Sequence, residues 1–250
     1  MRKTVVARVP EPSAAVPPGT EAGAPVRASG IGPVQDDPAS ESLTERVYRE
    51  LRLRLVTGRI APGATLSSRG LAQELDVSPM PVREAVGRLV AESALEVHSK
   101  RYICVPAMTR ARFQDLLHCR LLLEPEAARL ALPFIEPAHL RLLVEADERL
   151  SASLVGGDAQ KYMQSNFDFH FLIYGARAQL TMLHLIETLW LQFGPWMRVV
   201  YGRVGTAHLL DRHKQALQAI READAEALAK AIHDDIAEGM GLIGLTGLDP

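Results

Sequence analysis

Four polar side chains in the C-terminal half of this 250-residue chain have the types and spacing of metal ligands. Asn166 and His170 are four residues apart, so on a helix their side chains lie side by side on one face. His213 and His233 follow in two later segments. Three imidazoles and an amide oxygen could hold a divalent transition metal inside a helical bundle and leave positions for a small ligand. A single helical histidine is more often a surface or core residue, so spacing alone leaves both interpretations open.

The segments that would position these residues all have a helical pattern. Apolar residues at helical spacing, separated by capping residues, proline and glycine, predict an all-α bundle of six or seven helices. Pro125 falls inside the first helix, where we expect a kink near Leu121. Gly194 and Pro195 are expected to end the fourth helix. The predicted helices cover residues 109–131, 137–157, 158–174, 180–193, a short piece to 200, 206–223 and 224–240.

A second informative segment lies nearer the N-terminus and predicts two short helices that meet at a sharp turn. Leu71, Ala72 and Leu75 form the apolar face of the first helix. Ser78 can cap the second helix by accepting a backbone N–H, and Pro79 suits its first position because no N–H is needed there. Such a unit presents the first turn of its second helix outward, where it fits a DNA major groove. A plain helical hairpin is the alternative.

The flanking residues extend this pattern on both sides. Residues 42–45 read Ser-Leu-Thr-Glu, a capping box that opens a helix expected to end at Gly58. Residues 95–97 and 102–105 are short β-prone runs around a basic hairpin tip. Three helices and a small β-hairpin make a winged helix-turn-helix. The predicted fold class is therefore mainly α, with this unit followed by the helical bundle.

Composition divides the chain at similar places. Residues 1–38 hold seven of the sixteen prolines and few large apolar side chains, so we expect a disordered arm there. Residues 41–106 are predicted to bind DNA, and residues 107–242 to form the second domain. Residues 41–105 carry ten Lys/Arg and eight Asp/Glu. The formal net charge of −2 for the whole chain excludes a protein that coats nucleic acid by bulk charge, but it permits a few local phosphate contacts.

The expected location follows from what the sequence does not contain. No apolar run of useful length follows the basic first residues, so an export signal is not expected. No stretch approaches the length of a transmembrane helix. We expect Cys104 and Cys119 to be buried reduced thiols. These observations predict a cytoplasmic protein with no membrane partner.

The N-terminal pattern resembles the GntR family of bacterial transcription regulators over residues 43–105. The resemblance lies in Gly58-x-Ile60-x-Pro62-Gly63, Leu71-Ala72 and Val77-Ser78-x-x-Pro81-Val82-Arg83-Glu84-Ala85. It implies that DNA is contacted by Arg69, Ser78, Met80, Arg83, Lys100 and Arg101. An arginine can bind a phosphate, or the O6/N7 edge of guanine, through two hydrogen bonds. Arg83 could instead pair with Glu84 or Glu74, and Met80 could pack on the backbone.

The C-terminal half is similar to the FCD effector domain of the FadR subfamily within that family, over residues 109–236. The similarity is carried by Arg120-x-x-x-Glu124, Asn166-x-x-Phe169-His170, Leu185-Ile186-Glu187-x-Leu189-Trp190, Arg212-His213 and His233. It implies a metal held by Asn166, His170, His213 and His233, with zinc expected first and nickel or manganese as alternatives. A small organic acid beside the metal is also implied. A fixed Arg120 would suit such a carboxylate, whereas a salt bridge to Glu124 is the alternative.

Taken together, these patterns predict a ligand-responsive transcription regulator, with repression as the expected mode. We expect it to bind an inverted repeat as a homodimer, because two recognition helices related by a twofold axis reach successive major-groove faces. Two other functions stay open. A metal-dependent hydrolase could use the histidine cluster, although the chain has no HExxH or GxSxG pattern. A helical protein-interaction module is the other alternative.

Overall fold

The computed structural model describes residues 42–99, 102–178, 180–204 and 212–246. Within these residues the chain forms nine α-helices, a short 3-10 turn at Leu132–Phe134 and one small sheet, which confirms the predicted mainly-α class. The arm expected at residues 1–38 lies outside the described residues. The helices are α1 Leu43–Val56, α2 Ser68–Glu74, α3 Pro79–Ala91, α4 Arg110–Ala131, α5 Pro137–Gly156, α6 Ala159–Tyr174, α7 Leu180–Val204, α8 Arg212–Glu222 and α9 Ala225–Thr246.

Helices α1, α2 and α3 form the predicted helix-turn-helix around an apolar core. The Ser42 hydroxyl accepts from the backbone N–H of Glu45 at 3.2 Å, which confirms the cap expected at the start of α1. Gly58, with a φ of 63°, follows the end of α1. Leu51 of α1 and Leu89 of α3 are completely buried. Burial of such side chains, rather than helix propensity, stabilises helices this short.

The small sheet has one strand more than the sequence predicts. Strands β2 Glu96–Val97 and β3 Ile103–Cys104 form the expected antiparallel hairpin. Strand β1 Thr65–Leu66 pairs with the other edge of β3, giving the order β1-β3-β2. Two residues are too few to show a strand periodicity, so the sequence gives no signal for β1.

Two helices of the bundle formed by α4 to α9 begin at the expected capping residues. Thr109 accepts from the N–H of Arg112 at 3.2 Å, and Asp158 from that of Lys161 at 3.0 Å. Helix α4 runs through Pro125 without a break, and the kink expected there stays a prediction. Among the described residues, no helix combines the length and apolar character that a bilayer span requires.

The predicted end of helix α7 is wrong. Gly194 and Pro195 do not end it, because it continues to Val204. The glycine is needed for close packing instead. A Cβ atom at position 194 would lie 2.5 Å from the Val56 Cα and 2.7 Å from the Leu55 carbonyl oxygen, at the end of α1. The predicted helix at 206–223 begins at Arg212 within the described residues, since 205–211 lie outside them.

This close approach of α1 to α7 joins the DNA-binding unit to the bundle. Arg52 of α1 is buried and donates to Glu187 of α7 at 3.1 Å. The same guanidinium donates to the Tyr48 hydroxyl at 2.6 Å, and that hydroxyl donates to Glu92. Burial raises the pKa of Glu187, and the charge of Arg52 opposes that rise. A buried, multiply bonded arginine therefore links the two parts of the chain.

Candidate metal centre and nucleic-acid interface

Helix α6 carries two of the predicted ligands into the interior of the bundle. Asn166 and His170 lie one turn apart and are both buried. The Asn166 side chain makes no hydrogen bond to another described residue, so its amide oxygen is available as a ligand. His170 is the better defined of the two, since both of its ring nitrogens face polar partners.

The structure brings His170 and His213 together around the carboxylate of Asp235. The Nε2 atom of His170 lies 3.2 Å from one oxygen of Asp235, and Nε2 of His213 lies 4.0 Å from the other. One ligand atom from each of the three residues lies within 4.8 Å of the other two. The ring of Phe169 stacks on His213 with the centroids 4.0 Å apart, which fixes that imidazole. Two imidazoles and a carboxylate therefore converge from α6, α8 and α9.

His233, the fourth predicted ligand, does not join this group. Its side chain is about half exposed, and its Nδ1 atom faces Asp234 at 3.2 Å. Asp235, which the sequence analysis missed, occupies the inward position on α9. The apolar residues of α9 explain this position. Leu228 and Ile232 are buried, and Asp235 lies on the same face of the helix, because it follows Leu228 by seven residues and Ile232 by three. Position 233 falls on a different face, so the buried stripe was the signal that could have found Asp235.

Tyr174 determines which nitrogen of His170 carries the proton. The phenol donates to Glu124 at 2.8 Å, so its oxygen must accept from Nδ1 of His170, which lies 2.9 Å away. Burial raises the pKa of Tyr174 well above its ordinary value, and Glu124 raises it further, so the phenol keeps its proton. In the neutral imidazole the lone pair is then on Nε2 and points at Asp235.

Glu124 is the completely buried anchor of this chain of hydrogen bonds. It accepts from Trp190 at 3.0 Å and from Arg120 at 2.5 Å, in addition to Tyr174. The guanidinium of Arg120 also lies over the Trp190 ring, 4.6 Å from its centroid. Arg120 therefore forms the salt bridge that the sequence analysis gave as its alternative. Its contact with a ligand stays a prediction.

The donor set suits a divalent transition metal. With its proton on Nδ1, neutral His170 directs a lone pair at a carboxylate oxygen 3.2 Å away, and these two atoms repel each other. A second proton on the ring or a cation between the atoms removes the repulsion. Behind His213, Nδ1 lies 3.5 Å from Asp147, and neither atom has a hydrogen-bond partner among the described residues. In metal sites the second ring nitrogen of a ligating histidine usually donates to a carboxylate, a carbonyl or water, which orients the ring.

The surface predicted to meet DNA faces solvent. Arg69 on α2 and Ser78, Met80 and Arg83 around the start of α3 are all exposed. Arg83 has no ion pair among the described residues, and both of its expected alternatives have other partners. Glu84 accepts from Thr44 at 2.8 Å, and Glu74 pairs with Arg54 at 2.7 Å. Lys100 and Arg101 lie outside the described residues.

Ser78 begins α3 without the side-chain cap that the sequence predicts. At α1, α2, α4 and α6 the capping side chain accepts from the N–H three residues later. At α3 that residue is Pro81, which has no N–H, and the structure shows no side-chain cap. Pro79 occupies the first helical position as expected. The Ser78 hydroxyl is therefore left exposed and available to a phosphate.

Comparison with known proteins decides the family. Residues 43–105 match the bacterial regulatory proteins of the gntR family, and residues 115–238 match the FCD domain. The chain is 31% identical over 203 residues to the HTH-type transcriptional regulator McbR of Escherichia coli (strain K12), covering 78% of this chain and 92% of McbR. This chain belongs to the gntR family. It is a transcription regulator with an FCD effector domain and is not an enzyme.

Two further comparisons support the same conclusion for this gntR-family regulator. The gluconate operon transcriptional repressor of Bacillus subtilis (strain 168) is 28% identical over 77% of this chain and 83% of the repressor. The solved structure of E. coli McbR/YncC superposes with a TM-score of 0.77 at 28% identity, covering 82% of this chain and 98% of that one. The FCD match includes His170, His213 and Asp235, so the cluster lies inside the effector domain.

Proposed function

We propose that this regulator is a cytoplasmic repressor that binds an inverted-repeat operator as a homodimer and responds to a small organic acid. The acid would bind beside a divalent metal held by His170, His213 and Asp235, with Asn166 as a fourth ligand. The convergence of His170, His213 and Asp235 inside the FCD domain is the observation that carries the proposal. Repression is suggested by the gluconate operon repressor among its relatives.

The metal proposal rests on the chemistry of the donor atoms. Imidazole nitrogen with carboxylate and amide oxygen suits zinc first, and nickel or manganese as alternatives. A metal held by these residues would supply positive charge and open positions for a carboxylate. A neutral amide at Asn166 contributes no charge, so the negative charge of Asp235 carries more of the attraction. Burial raises the pKa of Asp235, but a hydrogen bond from a protonated His170 and the positive charge of protonated His213 and His170 outweigh burial and hold that pKa below its ordinary value. A metal cation in place of those protons would act in the same direction.

The DNA proposal rests first on Arg69, Ser78, Met80 and Arg83, which are exposed and whose side chains have no polar partner within the described part of the chain. Arg83 and Ser78 would lie against the major groove, while Met80 would contact a thymine methyl. Arg69 would bind a phosphate from α2, and Lys100 and Arg101 of the wing would bind the backbone nearby. One chain offers one recognition helix, so a twofold dimer is needed for an inverted repeat. Binding should weaken steeply with salt.

Helix α7 is the route by which we expect the acid to influence DNA binding. Trp190 lies against His170, with the ring centroids 5.3 Å apart, and donates to Glu124. Glu187, one turn earlier on the same helix, binds Arg52 of α1. A ligand that shifts α7 would therefore move a buried contact to the DNA-binding unit. It can change DNA affinity only to the extent that it binds the two arrangements differently.

Calorimetry tests the pocket. Acetate, succinate and citrate would be titrated into zinc-loaded protein and into protein stripped with EDTA. We expect at least one acid to bind the zinc-loaded form and none to bind the stripped form with similar affinity. An affinity that does not depend on metal would contradict the proposal. A gel shift with the DNA upstream of its own gene, against a shuffled duplex, tests operator binding separately.

A further inference from the structure

A cleft of about 850 Å³ lies between the DNA-binding unit and the bundle, and its lining includes none of His170, His213 and Asp235. Val47 and Leu53 of α1 and Val77 of the helix-turn-helix line one wall. Phe167 and Phe171 of α6 line the other. Most of the lining is apolar, and the volume lies within the roughly 300–1,000 Å³ typical of small-molecule pockets, which occur preferentially between domains.

Helix α6 is a wall shared by the cleft and the metal cluster. His170 belongs to the cluster, whereas Phe167, Asp168 and Phe171 line the cleft. At about 100° per residue, these cleft positions lie roughly 60° to 160° around the helix from His170, so the cleft and the cluster use different sides of α6. A molecule in the cleft would thus contact the helix that holds His170 without occupying the metal site.

Among the charged side chains that line the cleft, one arginine has no partner within the described residues. The acidic residues already have partners: Glu50 accepts from Arg54 at 2.7 Å, and Asp168 accepts from Gln164 at 2.8 Å. Asp168 also faces Arg149 at 3.7 Å. Arg46 lines the cleft from α1 and is exposed, and its guanidinium has no ion pair or hydrogen bond among the described residues. An arginine beside an apolar cavity matches an anionic group carried on an apolar body.

We infer that this interdomain cleft is a second ligand site, for an amphipathic organic anion whose apolar body packs against Phe167 and Phe171 and whose acid group binds Arg46. Such a ligand would contact α1 and α6 together. The ligand would therefore favour one position of the DNA-binding unit relative to the bundle. The size of this effect equals the difference between its binding free energies to the two positions. The site requires neither the metal nor DNA.

Three probes with one ring system and different charges test the inference: 2-naphthoate, 2-naphthol and 2-naphthylmethylammonium. Each would be titrated calorimetrically into the full chain after EDTA treatment, so that the metal site does not contribute. We expect one 2-naphthoate per chain, bound about tenfold more tightly than either other probe. Equal affinities, tighter binding of the cation, or binding only after zinc is restored would overturn the inference. None of these results bears on operator binding.

Variants locate the binding. Arg46→Gln should weaken 2-naphthoate about tenfold and leave 2-naphthol unchanged. Arg141→Gln is the matched control, since Arg141 is exposed on α5 and does not line the cleft. Leu172→Trp, which places an indole in the cleft, should abolish binding of all three probes, with thermal melting by circular dichroism used to verify folding. Undiminished 2-naphthoate binding in either cleft variant would contradict the site.

Discussion

The phenol oxygen of Tyr174 lies 2.9 Å from Nδ1 of His170, one helical turn earlier on α6. Because the phenol donates its own proton to Glu124, it can only accept from the imidazole. His170 is thereby fixed with its Nε2 lone pair toward Asp235. The orientation of a proposed metal ligand is thus determined by a buried carboxylate that lies two hydrogen bonds away.

Removing this hydroxyl should weaken the metal site without removing a ligand. We expect Tyr174→Phe to bind zinc about 10- to 100-fold less tightly, because His170 loses the partner that sets its tautomer. Competition with a fluorescent zinc chelator measures the affinity. Tyr162→Phe makes the same change on the same helix, away from the cluster, and should leave zinc affinity unchanged. Equal affinities for the two variants would show that Tyr174 does not position His170.

Asp235 and His233 give opposite predictions for the ligand set. Asp235→Ala removes a carboxylate that faces two imidazoles, so zinc retention after dialysis should be lost. His233→Ala removes a half-exposed side chain and should retain the metal content of the unaltered protein. Elemental analysis of the purified variants provides the measurement. The reverse result would restore His233 as a ligand and exclude Asp235.

The sequence predicted those features that depend on local physics. The caps at Ser42, Thr109 and Asp158 were correct because each follows from one side chain and one backbone N–H three residues on. The cap at Ser78 failed for an equally local reason, since Pro81 offers no N–H. That failure could have been avoided from the sequence alone.

Other features depend on contacts between distant segments, which local patterns do not show. Gly194 was predicted to end α7, but its role is set by α1, more than a hundred residues earlier. Similarly, His213 is buried as expected, while the choice of Asp235 over His233 depends on which face of α9 packs inward. Residue spacing identified the helices that contribute to the cluster, and packing decided one of its members.

Arg83 is the clearest test of the DNA-binding surface. If Arg83 contacts a base, Arg83→Ala should weaken operator binding by about 1–3 kcal/mol. If Arg83 contacts a phosphate, the variant should reduce the slope of log affinity against log salt concentration by about one. Fluorescence anisotropy with the upstream duplex at several salt concentrations separates the two outcomes. Arg88→Ala on the same helix is the control, because Arg88 is engaged with Glu45 at 2.6 Å. Unchanged binding in Arg83→Ala would remove this residue from the interface.

Arg52 should matter for stability far more than its neighbour Arg54. Arg52→Ala leaves Glu187 buried without its partner and should lower the free energy of unfolding by about 3 kcal/mol. Arg54→Ala, on the same helix, breaks pairs with the more exposed Glu50 and Glu74 and should cost about 1 kcal/mol or less. Urea unfolding followed by circular dichroism compares them. Similar losses would mean that the buried contact between α1 and α7 contributes little.

An acid bound at the metal cluster should change the affinity of the regulator for DNA. Fluorescence anisotropy titrations of the upstream duplex test this coupling. The zinc-loaded unaltered protein and His170→Ala would each be titrated with and without an acid that calorimetry has shown to bind. We expect the acid to shift the dissociation constant between the unaltered protein and DNA at least about fivefold. His170→Ala should bind the duplex as tightly as the unaltered protein without acid and show no shift. A shift that persists in His170→Ala, or none in the unaltered protein, would contradict the account.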